Sequence, residues 1–231
     1  TMVRAPEAII PLLAEAIPSA LYSAVPEGES RKRDLPGPMD AIAIGMGAGD
    51  AQWIPKALKS LIPNEQRLLI DADGLNTLAK MSDLDDLLRR RQENALEPIV
   101  LTPHPGEFER LAPELSTVLQ EDRVSAARSL ARKMPAIVVL KGTATVVAFP
   151  DGAVFINESG NAGMAKAGSG DVLSGMIVGN MAVLRDSYKA VLLSVYLHGL
   201  AADIALDERE NARSLLPEDI LAHISVARHT I

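Results

Sequence analysis

The chain contains no cysteine. Disulfides, thiolate chemistry and sulfur-ligated zinc are excluded in one step, and such a composition suits a cytoplasm. Aromatic residues are nearly as scarce, with three Phe, three Tyr and one Trp among 231 residues. The 48% apolar content therefore implies a continuous core packed by aliphatic side chains. Basic side chains are in deficit, 23 against 30 acidic, for a formal net charge of -7. That balance argues against nucleic acid or an acidic membrane as partner, yet it leaves room for a local phosphate site built from backbone. No uncharged apolar run approaches the ~20 residues that span a bilayer. The start, Thr1-Met-Val-Arg4, has no signal-peptide layout.

Two common nucleotide signatures are missing as well. Gly45-Met-Gly47-Ala-Gly49-Asp50 lacks the Gly-x-Gly-x-x-Gly spacing, and the acid about 20 residues later, of a dinucleotide-binding turn. Nowhere does Gly-x-x-x-x-Gly-Lys-Ser/Thr occur, so a P-loop is excluded.

What the chain does hold is alternation. Asp40–Gly45, Arg67–Asp71, Pro98–Thr102 and Pro135–Lys141 are short apolar runs, separated by helix-like patterns at about 50–62, 75–92 and 121–133. Buried parallel strands in βα units read this way. A first helix is expected over Pro6–Ile17 and a surface loop over Gly28–Pro38. Thr145–Phe149 and Ala153–Ile156 flank Pro150-Asp-Gly152, which predicts a hairpin. Val172–Leu184 and Tyr188–Leu206 are apolar and rich in small residues, as closely packed helices require. The expected fold is α/β, with a mostly parallel central sheet, flanking helices, and functional loops at the strands' carboxyl ends.

One segment stands apart. From Asn157 to Gly175 there are five glycines and two asparagines, running directly into a helical pattern that opens near Asp171. Glycine lets backbone N–H groups wrap an anion, and a helix start adds free N–H groups and partial positive charge. Asp171 either caps that helix or takes a proton from a hydroxyl attacking a phosphate bound by Gly168, Ser169 and Gly170. Lys141, at a strand end beside Gly142, is either a solvated terminus or a point charge for phosphate. Thr143 and Thr145 serve a hairpin equally well. His104, held between two prolines in Thr102-Pro-His-Pro-Gly106, either recognises a polar edge of a substrate or is structural. In Asp71-Ala-Asp73-Gly-Leu-Asn76 the acids hold magnesium through water, or Asp73 caps a helix. His198, His223 and His229 fall in late helical sequence and are assigned to structure or surface.

The set Ile44–Gly49, Asp71–Asn76, Leu101–Glu107, Lys141–Thr145 and Asn157–Asp171, in this order, resembles the ADP-dependent NAD(P)H-hydrate dehydratases of the ribokinase-like superfamily. The resemblance implies a ribokinase-like layered fold and repair of hydrated NADH or NADPH, in its S-form, at the expense of ADP or ATP. It implies that Asp171 is the catalytic base. Lys141, Gly142, Thr143, Ala144, Thr145 and Gly170 would surround the adenine nucleotide, with Gly168 and Ser169 at the transferred phosphoryl group and Asn161 as a further phosphate-side ligand. Gly47, His104 and Asp171 would hold the hydrate. Magnesium would bridge phosphates mostly through water, near Asp73. A homo-oligomer, with a tetramer as one form, and functional pairing with an NAD(P)H-hydrate epimerase are further implications.

The chain departs from the family pattern in three places. Gly168-Ser-Gly-Asp171 replaces Gly-Thr-Gly-Asp, and Asn157-Glu-Ser-Gly-Asn-Ala-Gly-Met164 lacks two prolines and gains Glu158. The family's usual first strand and glycine-rich segment have no counterpart before Thr1, so residues 1–231 read as one catalytic domain, N-terminally incomplete. The rivals are an ATP-dependent small-alcohol or vitamin-precursor kinase and a non-catalytic nucleotide-binding subunit.

Overall fold

The computed structural model describes residues 1–25, 39–49, 51–209 and 211–231. The expected loop Gly28–Pro38 and Asp50 of the first glycine turn lie outside the described residues. The chain forms two compact units, Thr1–Pro38 and Met39–Ile231.

In the first unit, β1 (Met2–Pro6) pairs in parallel with β2 (Leu21–Val25), and α1 (Ile10–Ala16) connects them after a 3₁₀ turn at Glu7–Ile9. The helix expected over Pro6–Ile17 is therefore shorter and starts later. Pro6 adopts φ -52° and ψ 138°, which is extended, and the α-helix begins with Pro11 in its first turn, where a missing N–H is harmless. Tyr22 Oη donates to the carbonyls of Leu13 and Ile17 at 2.8 and 2.7 Å, closing the helix's carboxyl end.

The second unit holds a six-stranded sheet in chain order: β3 (Ala41–Ile44), β4 (Arg67–Ile70), β5 (Ile99–Leu101), β6 (Ala136–Leu140), β7 (Val146–Ala148) and β8 (Val154–Ile156). The strands β3 to β6 are parallel, while β7 is antiparallel to both neighbours. Hence β8 points the same way as β6. The expected strands and hairpin are all present. The residues of β5, β6 and β7 are buried on both faces, which is why they read as unbroken apolar runs.

Because the parallel strands advance in one direction, right-handed crossovers send their connecting helices to one face. These are α2 (Trp53–Leu61), α3 (Asp73–Leu78), α4 (Leu84–Glu93), α5 (Pro105–Leu111), α6 (Ser116–Glu121) and α7 (Arg123–Lys133). The pattern expected over 75–92 is split into α3 and α4 at Ala79–Asp83, where Ser82 and Asp83 disfavour helix continuation. Two late helices, α8 (Ser169–Leu184) and α9 (Ser187–Asp207), cover the other face: Leu173, Ile177, Met181, Val191 and Val195 cluster with Leu69, Val100, Ile137 and Val139. A final helix, α10 (Pro217–His229), packs on α9 through Leu197, Ala201, Ala205 and Ile220. By length and composition α9 is apolar enough to cross a bilayer, yet more than half of that stretch is buried between the sheet and α10.

One contact sets the shape of the sheet's functional edge. A Cβ on Gly45 would stand 2.0 Å from the Asp71 carbonyl oxygen and 2.5 Å from Gly74 N, and Gly45 itself has φ +119°. The turn after β3 thus lies directly on the start of α3. Replacing Gly45 by alanine is expected to destabilise the protein by about 2 kcal/mol or more, from positive-φ strain and overlap with backbone. Gly179→Ala, in mid-helix with nothing within 4 Å of the added methyl group, should be neutral or stabilise by ~0.5–1 kcal/mol. Urea unfolding of both variants checks the contrast, and equal stabilities would contradict it.

Candidate active site

Loops leaving β3, β4, β5, β6 and β8 emerge at one edge of the sheet, because these five strands run in the same direction. Hydrogen bonds knit them together. Gly49 N donates to Asp73 Oδ2 at 2.7 Å, Lys141 N to the Pro103 carbonyl at 2.9 Å, and Asn157 N to the Thr145 carbonyl at 2.9 Å. Asp73 is thus an anchor for the glycine turn and not the cap of α3: it is the first helical residue, Ala72 holds the N-cap position, and no side chain caps that end. Gly47 lies within that turn with φ +63° and nothing within 4 Å of its missing Cβ, which leaves its backbone approachable.

At the centre is a buried ion pair. Asp71 is 1% exposed, and its Oδ1 accepts from Lys141 Nζ at 2.8 Å and from Ala72 N at 2.8 Å. Its Oδ2 accepts from Ser174 Oγ on α8 at 2.7 Å. Glu107 Oε2 stands 3.9 Å from the same ammonium. A Cβ built on Gly170 would come within 3.4 Å of Lys141 Nζ, so the ammonium lies against the first turn of α8. The early N–H groups of that helix have no intrahelical acceptors. Cation, helix N-terminus and glycine backbone therefore face one spot, as an anion site requires.

Asp171 sits in this first turn and is solvent-exposed. Partial burial raises its carboxyl pKa, the negative charge of Asp71 raises it further, and Lys141 opposes both. A carboxylate held above its ordinary basicity and beside an anion site has the properties of a general base.

The Lys141–Thr145 loop is exposed along Gly142, Thr143 and Ala144. Its shape is imposed by Arg123 from α7, whose guanidinium donates to the carbonyls of Leu140, Lys141 and Thr143. Thr145 Oγ1 donates to the Gly142 carbonyl at 3.2 Å. His104 does not sit in a simple proline turn: it caps α5. Its Nδ1 accepts from Gly106 N at 3.0 Å and Glu107 N at 3.3 Å, while Glu107 Oε2 accepts from His104 N at 2.8 Å. Pro105 supplies the helix's first residue. With Nδ1 accepting, the neutral ring carries its proton on Nε2, and the side chain remains exposed.

Asn161 is engaged at both ends, donating to the Ala202 carbonyl and Asp203 Oδ1 and accepting from Gly163 N. Gly160 N donates to Asp203 Oδ2 at 2.7 Å. The glycine-rich loop is therefore pinned to α9, against which it closes tightly: a Cβ on Gly199 would meet Ser159 Oγ at 2.2 Å. Ser169 Oγ and His198 Nε2 are buried without a hydrogen-bond partner among the described residues.

Sequence reasoning missed Glu107, Arg123, Ser174, His198 and Asp203 as parts of this constellation. Ser174 carried a faint signal, since it lies three residues after Asp171 on the same helix. Glu107 carried one too, three residues after His104 at capping-box spacing; Arg123, His198 and Asp203 are joined to the site only by tertiary contact.

The sequence profile of the NAD(P)H-hydrate dehydratase family matches residues 1–225. The chain belongs to that family. Its fold is the ribokinase-like α/β architecture. It is 34% identical over 214 residues to the ADP-dependent (S)-NAD(P)H-hydrate dehydratase of Bacillus subtilis (strain 168), covering 93% of this chain and 73% of that protein. The Bifunctional NAD(P)H-hydrate repair enzyme Nnr of Thermofilum pendens is 39% identical over 213 residues, which are 88% of this chain and only 39% of that longer protein. Among solved structures, the ADP/ATP-dependent NAD(P)H-hydrate dehydratase from Bacillus subtilis, co-crystallized with ATP/Mg2+ and soaked with CoA, superposes with a TM-score of 0.83 at 32% identity. That match covers 99% of this chain and 80% of the other.

His198 yields a pH prediction. Burial pushes its imidazole from the ordinary 6.5 down to about 4, against a hydrogen bond with the Ser169 backbone. Between those values the unfolded chain binds a proton that the folded protein refuses. Stability should therefore fall as pH drops from about 6.5 to about 4, by on the order of 3 kcal/mol from this group. Denaturant unfolding at pH 7, 5.5 and 4 should show a steeper loss for the unmodified protein than for His198→Gln. Parallel curves would assign the acid sensitivity to other groups.

Proposed function

We propose that the chain catalyses ADP-dependent dehydration of the S-form of NADH or NADPH hydrate, with ATP as an alternative donor, restoring NAD(P)H and releasing AMP and phosphate from ADP. The observation that carries this reading is the convergence of a raised carboxylate, Asp171, with Lys141 and the first turn of α8. Asp171 takes the proton from the hydrate's ring hydroxyl, and that oxygen attacks the terminal phosphorus of ADP. The bond from that phosphorus to the bridging oxygen breaks, and AMP leaves. The phosphate ester is a far better leaving group than hydroxide. It departs with its bonding electrons as the ring nitrogen's lone pair forms the iminium, and loss of the neighbouring ring proton restores the double bond.

Lys141 and the Gly168–Gly170 backbone are suited to balance charge on the three equatorial oxygens of the transferred group. The exposed Gly142–Ala144 backbone, shaped by Arg123, is the proposed cradle for the nucleotide, and Thr145 braces it. His104 and Gly47 are proposed at the hydrate, where a half-exposed imidazole, its Nε2 3.5 Å from Glu107 Oε1, and an open glycine backbone are accessible. Asn161 is proposed as a further phosphate-side ligand, on a loop that its own amide holds to α9. Among the described residues no group of three or more His, Asp or Glu converges. We propose that a hydrated magnesium ion arrives with the nucleotide phosphates and is met through water, with Asp73 within the same edge. When bound, the ion neutralises phosphate charge.

The proposal extends to one catalytic domain over residues 1–231, supported by a family profile that runs through both compact units. It also takes in a cytoplasmic site of action, for which the cysteine-free composition is the support, and a homo-oligomer such as a tetramer. Functional pairing with an NAD(P)H-hydrate epimerase is the last part of the proposal.

Mixing the protein with hydrated NADH, magnesium and ADP should restore NADH absorbance with stoichiometric AMP. Stable phosphorylation of a small alcohol from ATP, without NADH recovery, would instead establish the kinase reading; nucleotide binding without either would leave the non-catalytic one. Asp171→Asn should lose about 10²–10⁴-fold in kcat while still folding and binding ADP. Its stability should be unchanged or slightly higher, because folding disfavours the charged form of Asp171. A folded Asp171→Asn protein with near-normal turnover rules out the base role.

A further inference from the structure

The sequence offered Asp71 only as an acid for hydrated magnesium, yet its three hydrogen bonds reach three separate parts of the site. Ala72 N ties it to the end of β4. Lys141 Nζ reaches it from the end of β6, across the intervening β5. Ser174 Oγ reaches it from α8, one turn after Asp171. Both Asp71 and Ser174 are buried, at 1% and 0% exposure. A buried ion pair of this kind gives little net stability, because desolvation offsets most of the Coulombic gain. Apolar side chains of equal volume would join β4 to α8 as well. What they would not do is hold an ammonium at the helix start, or fix the azimuth of the helix that carries Asp171.

We propose that Asp71 is a positioning residue for phosphoryl transfer, holding the Lys141 ammonium against the first turn of α8 and, through Ser174, locking the register of Asp171. The inference rests on the phosphoryl-transfer reading of the site. Among the described residues, the charged and titratable groups around Asp171 are Asp71 and Lys141, with Glu107 beyond the lysine, His104 beyond Glu107, and His198 of α9 bonded to the Ser169 backbone in the same turn. In this set Asp71 has a second effect, since its negative charge makes Asp171 a stronger base. Removing that charge should shift the titration of Asp171 to lower pH. A merely structural residue would not move it.

The test uses the full chain with Asp71→Asn and Ser174→Ala. In Asp71→Asn, kcat should fall by about 10²-fold, the loss that a small misplacement of reacting groups produces. The ADP Kd measured by calorimetry should change less than about threefold, because a negative charge is removed as the lysine is released. The acid limb of the pH profile, and the Asp171 carboxylate titration followed by NMR, should move to lower pH. Ser174→Ala keeps the ion pair, so it should lower kcat several-fold with the titration unmoved. A folded Asp71→Asn protein with unchanged kcat and unchanged Asp171 titration overturns the proposal. Should Asp71→Asn not fold, Ser174→Ala decides: a several-fold loss in kcat with ADP affinity retained supports the proposal, and unaltered kcat overturns it. An unsubstituted chain that turns over no hydrate rejects the dehydratase reading, while the Asp171 titration still decides the role of Asp71.

Discussion

The pairing of Asp71 with Lys141 is the interaction on which the candidate site depends. Taking a carboxylate and an ammonium out of water costs several kcal/mol per ion, and only close geometry with further hydrogen bonds offsets it. Here the offset comes from Ala72 N and Ser174 Oγ, so the pair is stable only when β4, β6 and α8 are all in place. The same contacts bring the cation, the helix N-terminus and Asp171 together. Fold and site are coupled through one buried charge.

The surrounding loops extend this arrangement with backbone rather than with additional charge. Gly45 lets the first turn lie on the start of α3, Arg123 gathers three carbonyls of the Lys141–Thr145 loop, and Asp203 accepts from Gly160 N and the Asn161 amide of the glycine-rich loop. A chain with net charge -7 can therefore present an anion site without a basic patch. The electrostatic work is local: one lysine, one helix terminus and glycine amides.

Much of the sheet was legible in advance. Arg67–Ile70, Ile99–Leu101 and Ala136–Leu140 are parallel and almost wholly buried, so they read as plain apolar runs between polar helices. The strands β1 and β2 were not legible, because Met2–Pro6 and residues 21–24 carry exposed and mixed residues and Pro6 favours a helix start equally well. His104 was recognised as restrained but not as a helix cap, since two prolines indicate rigidity in a turn or at a helix start alike. The motif alone gave no sign that the Asn161 amide nitrogen bonds to α9, a partner more than forty residues away.

By itself the amino-acid sequence determined the alternation of strands and helices, the glycine-rich turns at their junctions, and the set of motifs that carries the family resemblance. These are local properties, set by side-chain period, backbone permissiveness and the order of residues along the chain. Tertiary structure alone decided that Asp71 holds Lys141, that Ser174 joins that pair to the helix of Asp171, and that Arg123 shapes the neighbouring loop. Such facts depend on which strand ends become neighbours and on how deeply each charge is buried, and neither is encoded within the span of a single motif.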